Sequence, residues 1–499
     1  MGIIIKQSIK SSVYAYIGII LGFITTALLM PKILSESEVG LTRLLVSITL
    51  PLSHIATLGY NGAGGRLFPY FRNHEKQHHG YLFWGCVITL TGLCLCLGTW
   101  VYNHDMILRF LNAKASPLLN DYLFYVIPLT VFYALFFIFD NYARVLYDTT
   151  SGTFLKEFAQ RVFIFIAIVI YALHWIDFKG FVIAYVVALC LPTILLIIRV
   201  WQKDWLFLKP VKGFWTPQLK KDFFKLSTLT FLSGFTSQIV LSIDQIQVTS
   251  IINLAANGVY STMMMFGTVI FTPTIHINRI GGTIIAEAWK TNDLKTIRDV
   301  YEKSCLTLPI VGCLLFIGIV TNLPNVFEIL PNYETGKWVV IWIGIGKIFD
   351  MATGLNGTIL QLSKYYFYDT LFMVFLILGT WLMNQWLIPQ YGITGSAIAT
   401  TVMIFAFNVF RTIFVWIAFG LMPFSLKNLY IFIIAGIVFL IISNIPKMTA
   451  MGSIPSFLID TPLRSVLTGL LFMGAIYGFK ISSDVNTIID GIWQKIFKR

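Results

Sequence analysis

Charge is scarce in this chain. Asp, Glu, Lys and Arg make up 12% of its 499 residues, about half the share of an ordinary soluble domain. Hydrophobic residues reach 57%, and mean hydropathy is +0.77. That balance excludes a water-soluble domain with a charged surface. Cysteine is sparse as well. Cys86, Cys94, Cys96, Cys190, Cys305 and Cys313 all fall within or at the ends of apolar stretches. No loop disulfide or zinc site is expected from them, and they read as small core residues. A phosphate loop is missing too. Gly336-Lys337 and Gly346-Lys347 lack the spaced upstream glycine and the following Ser or Thr. Neither an ATP site nor any other cofactor is expected. The first apolar stretch lacks a small-residue cleavage site, so it is expected to stay in the membrane and not to leave as a signal peptide.

What the chain does have is about fourteen apolar stretches long enough to cross a bilayer. They run near 12–30, 41–60, 81–102, 122–140, 162–176, 181–198 and 226–251, then 258–278, 304–326, 338–361, 371–388, 394–415, 429–443 and 463–479. A backbone in lipid must satisfy its own hydrogen bonds, so each is expected to be a helix. The expected fold is an all-α polytopic membrane protein. With the N-terminus placed in the cytoplasm and the loops alternating, about 27 of the 36 Lys and Arg fall on cytoplasmic segments and about 8 on outer ones. The C-terminus then lies inside as well. The net charge of +13 reads as a topology signal and an attraction to anionic lipid heads. Its spread over many short loops argues against a nucleic-acid partner.

Residues 199–225 form the longest cytoplasmic connection, in which aromatics alternate with lysines and Pro210 and Pro217 interrupt. This suits a linker along the membrane surface. The halves on either side echo one another. Gly180 and Arg199 have counterparts in Gly392 and Arg411. Gly40 with Gly64-Gly65 is matched by Gly258 with Gly281-Gly282, and Asn141 by Asn356. The expected organisation is a six-helix lobe at 1–200, a linker at 201–225, a second six-helix lobe at 226–420, two added helices at 421–480 and an interfacial tail at 481–499. In the tail, Ile488, Ile489, Ile492, Trp493 and Ile496 share one side. Parallel repeats of this kind suit a transporter whose lobes rock about a central cavity.

Three segments carry a family resemblance. Ile243-Asp244-Gln245 followed by Gly258-Val259-Tyr260-Ser261 resembles a seventh-span signature of polysaccharide exporters. Asn356-Gly357 with Leu360 to Lys364 is similar to the exit of their tenth span. The stretch from Leu387 through Gly392 and Gly395 to Thr400 resembles their outer turn between spans eleven and twelve. The chain resembles the polysaccharide and O-antigen flippases of the multidrug/oligosaccharidyl-lipid/polysaccharide exporter superfamily, with a MATE-like fold. That resemblance implies alternating access in a bacterial inner membrane. It implies carriage of a polyprenyl-pyrophosphate-linked oligosaccharide to the outer leaflet, with a possible H⁺ or Na⁺ as coupling cation and polymerase or assembly proteins as partners. The lipid II branch carries an Arg-Asp pair in its first span, and many cation-coupled drug exporters carry a carboxylate there. Gly18 to Thr26 has no charge here, which argues against both cargoes. A cation-coupled multidrug exporter stays open as an alternative. A membrane polysaccharide polymerase or ligase is another, although the outer loops at 103–121 and 444–462 are small for a catalytic domain.

Charges inside spans are costly and mark candidate sites. Ser233, Ser237, Asp244 and Gln247 fall at helical spacings on one side of the seventh span. They read as a cavity wall that binds a cation or a sugar hydroxyl, or as a structural hydrogen-bonded stripe. Lys347 and Asp350 stand at i, i+3 in the tenth span. The simpler reading is a self-neutralised pair. The sharper one has Lys347 meeting the cargo pyrophosphate. Arg43, Arg144, Arg279 and Arg411 lie near span ends, as snorkelling anchors or as steering charges for an anion. His54 and His276 read as core histidines or as proton-coupling groups. His74 and His78 have the i, i+4 spacing of a metal pair, with Glu75 and His79 beside them, in what is expected to be a solvated loop. Residues 283–303 read as a charged inner-loop helix.

Overall fold

The computed structural model describes residues 13–497 apart from 15–16, 112–115, 212 and 447–452. Every regular element among the described residues is helical. We number the main helices α1 Ile17–Ile33, α2 Glu36–Ala56, α3 Tyr60–Phe71, α4 Tyr81–Tyr102, α5 Pro117–Val145 and α7 Phe178–Gln202. Between the last two, α6 spans 149–172 as three contiguous segments. Next come α8 Pro217–Ile251, α9 Leu254–Val269, α10 Thr272–Lys290 and α11 Leu294–Ile329. The chain continues through α12 Lys337–Ala352, α13 Asn356–Leu362, α14 Tyr366–Phe419, α15 Leu426–Ser443, α16 Ser453–Gly478 and α17 Ser483–Phe497. Among the described residues nine helices are long and apolar enough to cross a membrane, or up to 11 when each bent pair is one span. Within the described residues the expected stretches are largely helical, with turns at 57–59, 270–271 and 353–355 and no helix at 173–176. In α17 the side chains of Ile488, Ile492, Trp493 and Ile496 fall outside the described set.

Local chemistry explains the boundaries. Ser35 and Glu38 form a capping box that starts α2. Leu58 and Gly59 have φ of 47° and 73°, which separates α2 from α3. Thr216 caps α8, with Pro217 in its first turn. In α1 the hydroxyls of Thr25 and Thr26 bond back to Leu21 O at 2.6 Å and Gly22 O at 2.5 Å. Such competition loosens the backbone ladder, and residues Ile24–Leu29 form a π-turn there.

Several expected boundaries are corrected. The span expected at 162–176 begins far earlier, at Thr149, under an Asp148 cap. It carries Lys156, Glu157 and Arg161 on helix and not on a loop. The outer turn expected after Leu387 is compressed to a single break: α14 is two helices that meet at a kink at Gly392, where φ is 58° and ψ −141°. Gly395 then lies so close to Leu387 O that a Cβ would sit 2.1 Å from it. The helix expected at 283–303 is divided between α10 and α11 by the turn at 291–293. Helix takes in 199–202 and 217–225 of the long connection, and its irregular part packs against the protein. Trp205 O accepts from Tyr142 Oη at 3.0 Å, and Phe214 stacks on His79 at 4.1 Å. His78 is likewise not solvated, at 3% exposure.

The chain packs as two compact units, Met1–Gly258 and Val259–Arg499. In the first, glycines let helices touch backbone to backbone. A Cβ on Gly92 would lie 2.1 Å from Ala56 O, and one on Gly18 would lie 2.0 Å from Glu157 O. Gly40 and Gly258, read as equivalents in the sequence, lie against each other, each 3.1 Å from the other's nitrogen by the same measure. Gly152 is a sharper case, since a Cβ there would sit 1.7 Å from Asp140 Oδ1. That oxygen belongs to a short, buried, ion-paired side chain with little room to yield. Overpacking of this kind costs about 1–3 kcal/mol. Gly152→Ala is therefore expected to lower the membrane-inserted protein several-fold. Gly98→Ala, where nothing lies within 4 Å, is expected to leave it unchanged. Quantitative immunoblotting of membranes checks both.

Candidate transport site

In the first unit, α8 runs along α2 and α3 and is bonded to them at separated points. Ser47 Oγ donates to Gln245 Oε1 at 2.5 Å. Thr230 Oγ1 donates to Gly59 O at 2.8 Å. Asn257, at the start of α9, donates to Gly40 O at 3.1 Å. The polar stripe expected on α8 is uneven. Asp244 is 2% exposed and Gln247 1%, whereas Ser237 is exposed and the side chain of Ser233 lies outside the described residues. Arg43 on α2 is half-buried and donates to Thr26 O at 2.8 Å, a carbonyl of the α1 π-turn. The uncharged first span also receives a cation from elsewhere, because Gly22 leaves room for Arg161 of α6, whose Nε would lie 3.1 Å from a Cβ there.

A second cluster joins α2, α5 and α6. The Asp140 carboxylate pairs with Arg144 at 2.8 Å. Phe137, one turn earlier on α5, meets two cationic or titratable groups. Its ring lies 4.4 Å from the His54 ring and 4.7 Å from Lys156 Nζ. Lys156 also approaches the Phe136 and Tyr133 rings, at 5.5 and 5.9 Å. No carboxylate lies within ion-pair distance of it among the described residues. Aromatic faces stabilise such a cation without neutralising it. Asp148, just before α6, is bonded by Lys203 and Ser151. Burial pushes its carboxyl up, but those hydrogen bonds outweigh burial and hold it below the usual carboxylate range.

In the second unit the pair expected between Lys347 and Asp350 is not formed. Asp350 Oδ1 accepts instead from Asn408 Nδ2 of α14 at 3.0 Å. Asn408 Oδ1 in turn accepts from Thr353 at 3.1 Å and from Asn356 at 3.3 Å. Asn356 also donates to Thr412. With Asp350 held in this chain of amides, Lys347 faces the Phe271 ring, 4.9 Å from its centre. Lys347 is half-buried and has no ion-pair partner among the described residues. An unpaired cation on an aromatic face, well inside a helix, is a ready contact for an anion.

Arg411 is corrected from an anchor to a buried ion pair. It meets Asp369 at 2.5 Å, with side chains 8% and 6% exposed. Its guanidinium lies 4.0 Å from the centre of the Phe407 ring. Gln361 donates to the other Asp369 oxygen at 2.9 Å. Gly357 makes the space, since a Cβ there would be 2.7 Å from Arg411 Nη1. His276 is half-buried, and Arg279 one turn later on α10 is exposed. A third network ties α16 to α11 and α15. Asp460 accepts from Arg464 at 2.6 Å and from Asn325 at 2.7 Å. Arg464 also caps Ile442 O and Ile445 O at the end of α15. No group of three or more potential metal ligands is assembled among the described residues, and His74 rests on Phe207.

These arrangements sit on a fold with solved counterparts. A lipid II flippase, MurJ, in an inward closed conformation superposes with a TM-score of 0.73 at 14% identity, covering 95% of this chain and all of the other. An inward-facing multidrug resistance MATE transporter of the MOP superfamily gives 0.61 at 11% identity, covering 82% and 94%. A variant of the Vibrio cholerae MATE transporter VcmN gives 0.52 at 13%, covering 84% and 98%. At such identities the likeness is one of fold. No curated protein matches the sequence. The model of a family described as polysaccharide biosynthesis protein matches residues 4–279. That is more than half of the chain, which therefore belongs to the polysaccharide biosynthesis protein family.

Proposed function

We propose that this protein is a flippase that moves a polyprenyl-pyrophosphate-linked oligosaccharide from the inner to the outer leaflet of a bacterial inner membrane. The oligosaccharide serves a surface polysaccharide such as O-antigen or capsule. Both termini lie in the cytoplasm, and the cycle is one of alternating access. The observation that carries this reading is Lys347, a cation inside the second unit that faces an aromatic ring and lacks a carboxylate partner among the described residues. A pyrophosphate supplies the charge that such a group is missing. Lys156 in the first unit has the same character. The family match supports a place in polysaccharide assembly, and the MATE-like fold supports transport.

Deleting the gene tests the reading in the cell. The lipid-linked oligosaccharide is expected to accumulate on the cytoplasmic leaflet, and the corresponding surface polymer to disappear. A normal polymer in a strain with no other flippase would overturn it.

Asp244 is assigned to cation coupling. It is buried beside Gln245, which bonds Ser47, and a carboxylate inside a span is costly enough to mark a functional group. Asp244→Asn is expected to reduce surface polymer strongly at unchanged protein level, and Asp244→Glu to retain more activity than Asn. Equal output from the Asn variant and the wild type, at matched abundance, would make Asp244 a structural acceptor.

A further inference from the structure

A groove of about 650 Å³ lies in the first unit. Leu58, Trp84, Trp215, Phe223 and Phe231 form much of its wall, and Lys220 lines it as well. Lys220 stands in the first turn of α8, and Trp215 lies just before that helix. Trp beside Lys at the end of a span is the arrangement that seats a helix at the level of lipid headgroups.

The charge around it is one-sided. Lys220, Lys221 and Lys225 are exposed, and none of them is ion-paired among the described residues. The one acid among residues 217–231 is Asp222, and Gln218 holds it with bonds of 3.0 and 3.1 Å. Three lining residues also carry buried polar atoms that lack a hydrogen-bond partner among the described residues: Trp84 Nε1, Trp215 Nε1 and Ser227 Oγ. All three can donate. The groove region is short of acceptors and of negative charge, while its wall is apolar.

We infer that the groove binds an anionic phospholipid of the surrounding leaflet, its hydrocarbon along the aromatic wall and its phosphate at Lys220. A phosphodiester offers both the charge and the acceptor oxygens that this region lacks. The volume is that of a drug-sized site, which suits a length of fatty chain and not a many-unit polyprenyl tail. Leu58 gives the site a place in the fold. It is a non-glycine residue at φ 47°, at the break between α2 and α3, in the left-handed region that L side chains disfavour. A lipid chain packed on Leu58 supports that break, which α8 also holds through Thr230 and Gly59 O. The inference does not depend on which cargo the protein carries.

The test uses the purified full-length protein, stripped of lipid in mild detergent. It is titrated with phosphatidylglycerol or phosphatidylcholine of matched chains and read by native mass spectrometry. Phosphatidylglycerol is expected to be retained at roughly tenfold lower concentration, equivalent to about 1.4 kcal/mol. Lys220→Gln is expected to erase most of that preference. Thr228→Trp, which fills the groove from a lining position exposed to solvent, is expected to remove the retained lipid. Lys290→Gln, an exposed lysine on α10, is expected to change nothing. Equal retention of the two lipids, or an unchanged preference in both groove variants, would overturn the inference. So would displacement of phosphatidylglycerol by a polyprenyl phosphate that Thr228→Trp blocks, since that outcome gives the groove to the cargo chain.

Discussion

Lys347→Ala is expected to abolish transport while the protein still accumulates in the membrane. The reason is the bonding of its neighbour. Had Lys347 been paired with Asp350, its removal would strand a buried carboxylate. Asp350 is instead held by Asn408 at 3.0 Å, and Lys347 touches the Phe271 ring. Alanine removes the cation without orphaning an acid. Loss of one partner from a desolvated charge contact costs about 2–5 kcal/mol. Even the lower end lowers flipping about 30-fold. Lys347→Arg is expected to keep part of the rate, since it keeps the charge. The double change Lys347→Ala, Asp350→Ala is expected to be as inactive as the single one. Recovery of both expression and activity in the double variant would show a structural pair and remove the anion-binding role.

Asp369→Ala should act in the opposite way, through folding and not through transport. It leaves Arg411 buried on α14 with no counter-charge. The side chains are 8% and 6% exposed, so water cannot take over. Breaking a buried pair from one side costs about 3–5 kcal/mol, whereas replacing both partners by apolar groups is often neutral. Asp369→Ala is expected to cut the yield of monodisperse protein in detergent at least about tenfold. Asp369→Leu with Arg411→Met should restore most of it. Size-exclusion chromatography of a fluorescent fusion reads both. A single variant that matches the wild type in yield and melts within about 2 °C of it would show that the pair is not holding α14 to itself.

The two residues differ in how readable they are. Asp244 stands alone in a long apolar run and Lys347 has only Asp350 beside it, so hydropathy exposes them. Their partners do not show. Spacing ties Asp350 to Lys347, but Asn408 competes from 58 residues away, and no local spacing links the two. Asp369 is hidden differently, beside Tyr366, Phe367 and Tyr368 at the start of α14, where it reads as the wet end of a span. Lys156, Glu157 and Arg161 make the start of α6 read as a loop. The structure keeps it helical by laying Lys156 over aromatic rings and Arg161 beside Gly22. The helical class and the family were legible because they rest on segments tens of residues long. The site was legible only where a charge had no local company.

The most direct measurement is flipping by the purified protein in liposomes loaded with a polyprenyl-pyrophosphate-linked oligosaccharide. A membrane-impermeant reagent that modifies sugars reports the fraction on the outer leaflet over time. The account predicts that wild-type vesicles expose cargo well above the protein-free rate, and that Lys347→Ala vesicles with the same amount of folded protein do not. Exposure by the wild type no faster than in protein-free vesicles, or equal exposure by the Lys347→Ala variant, would contradict it.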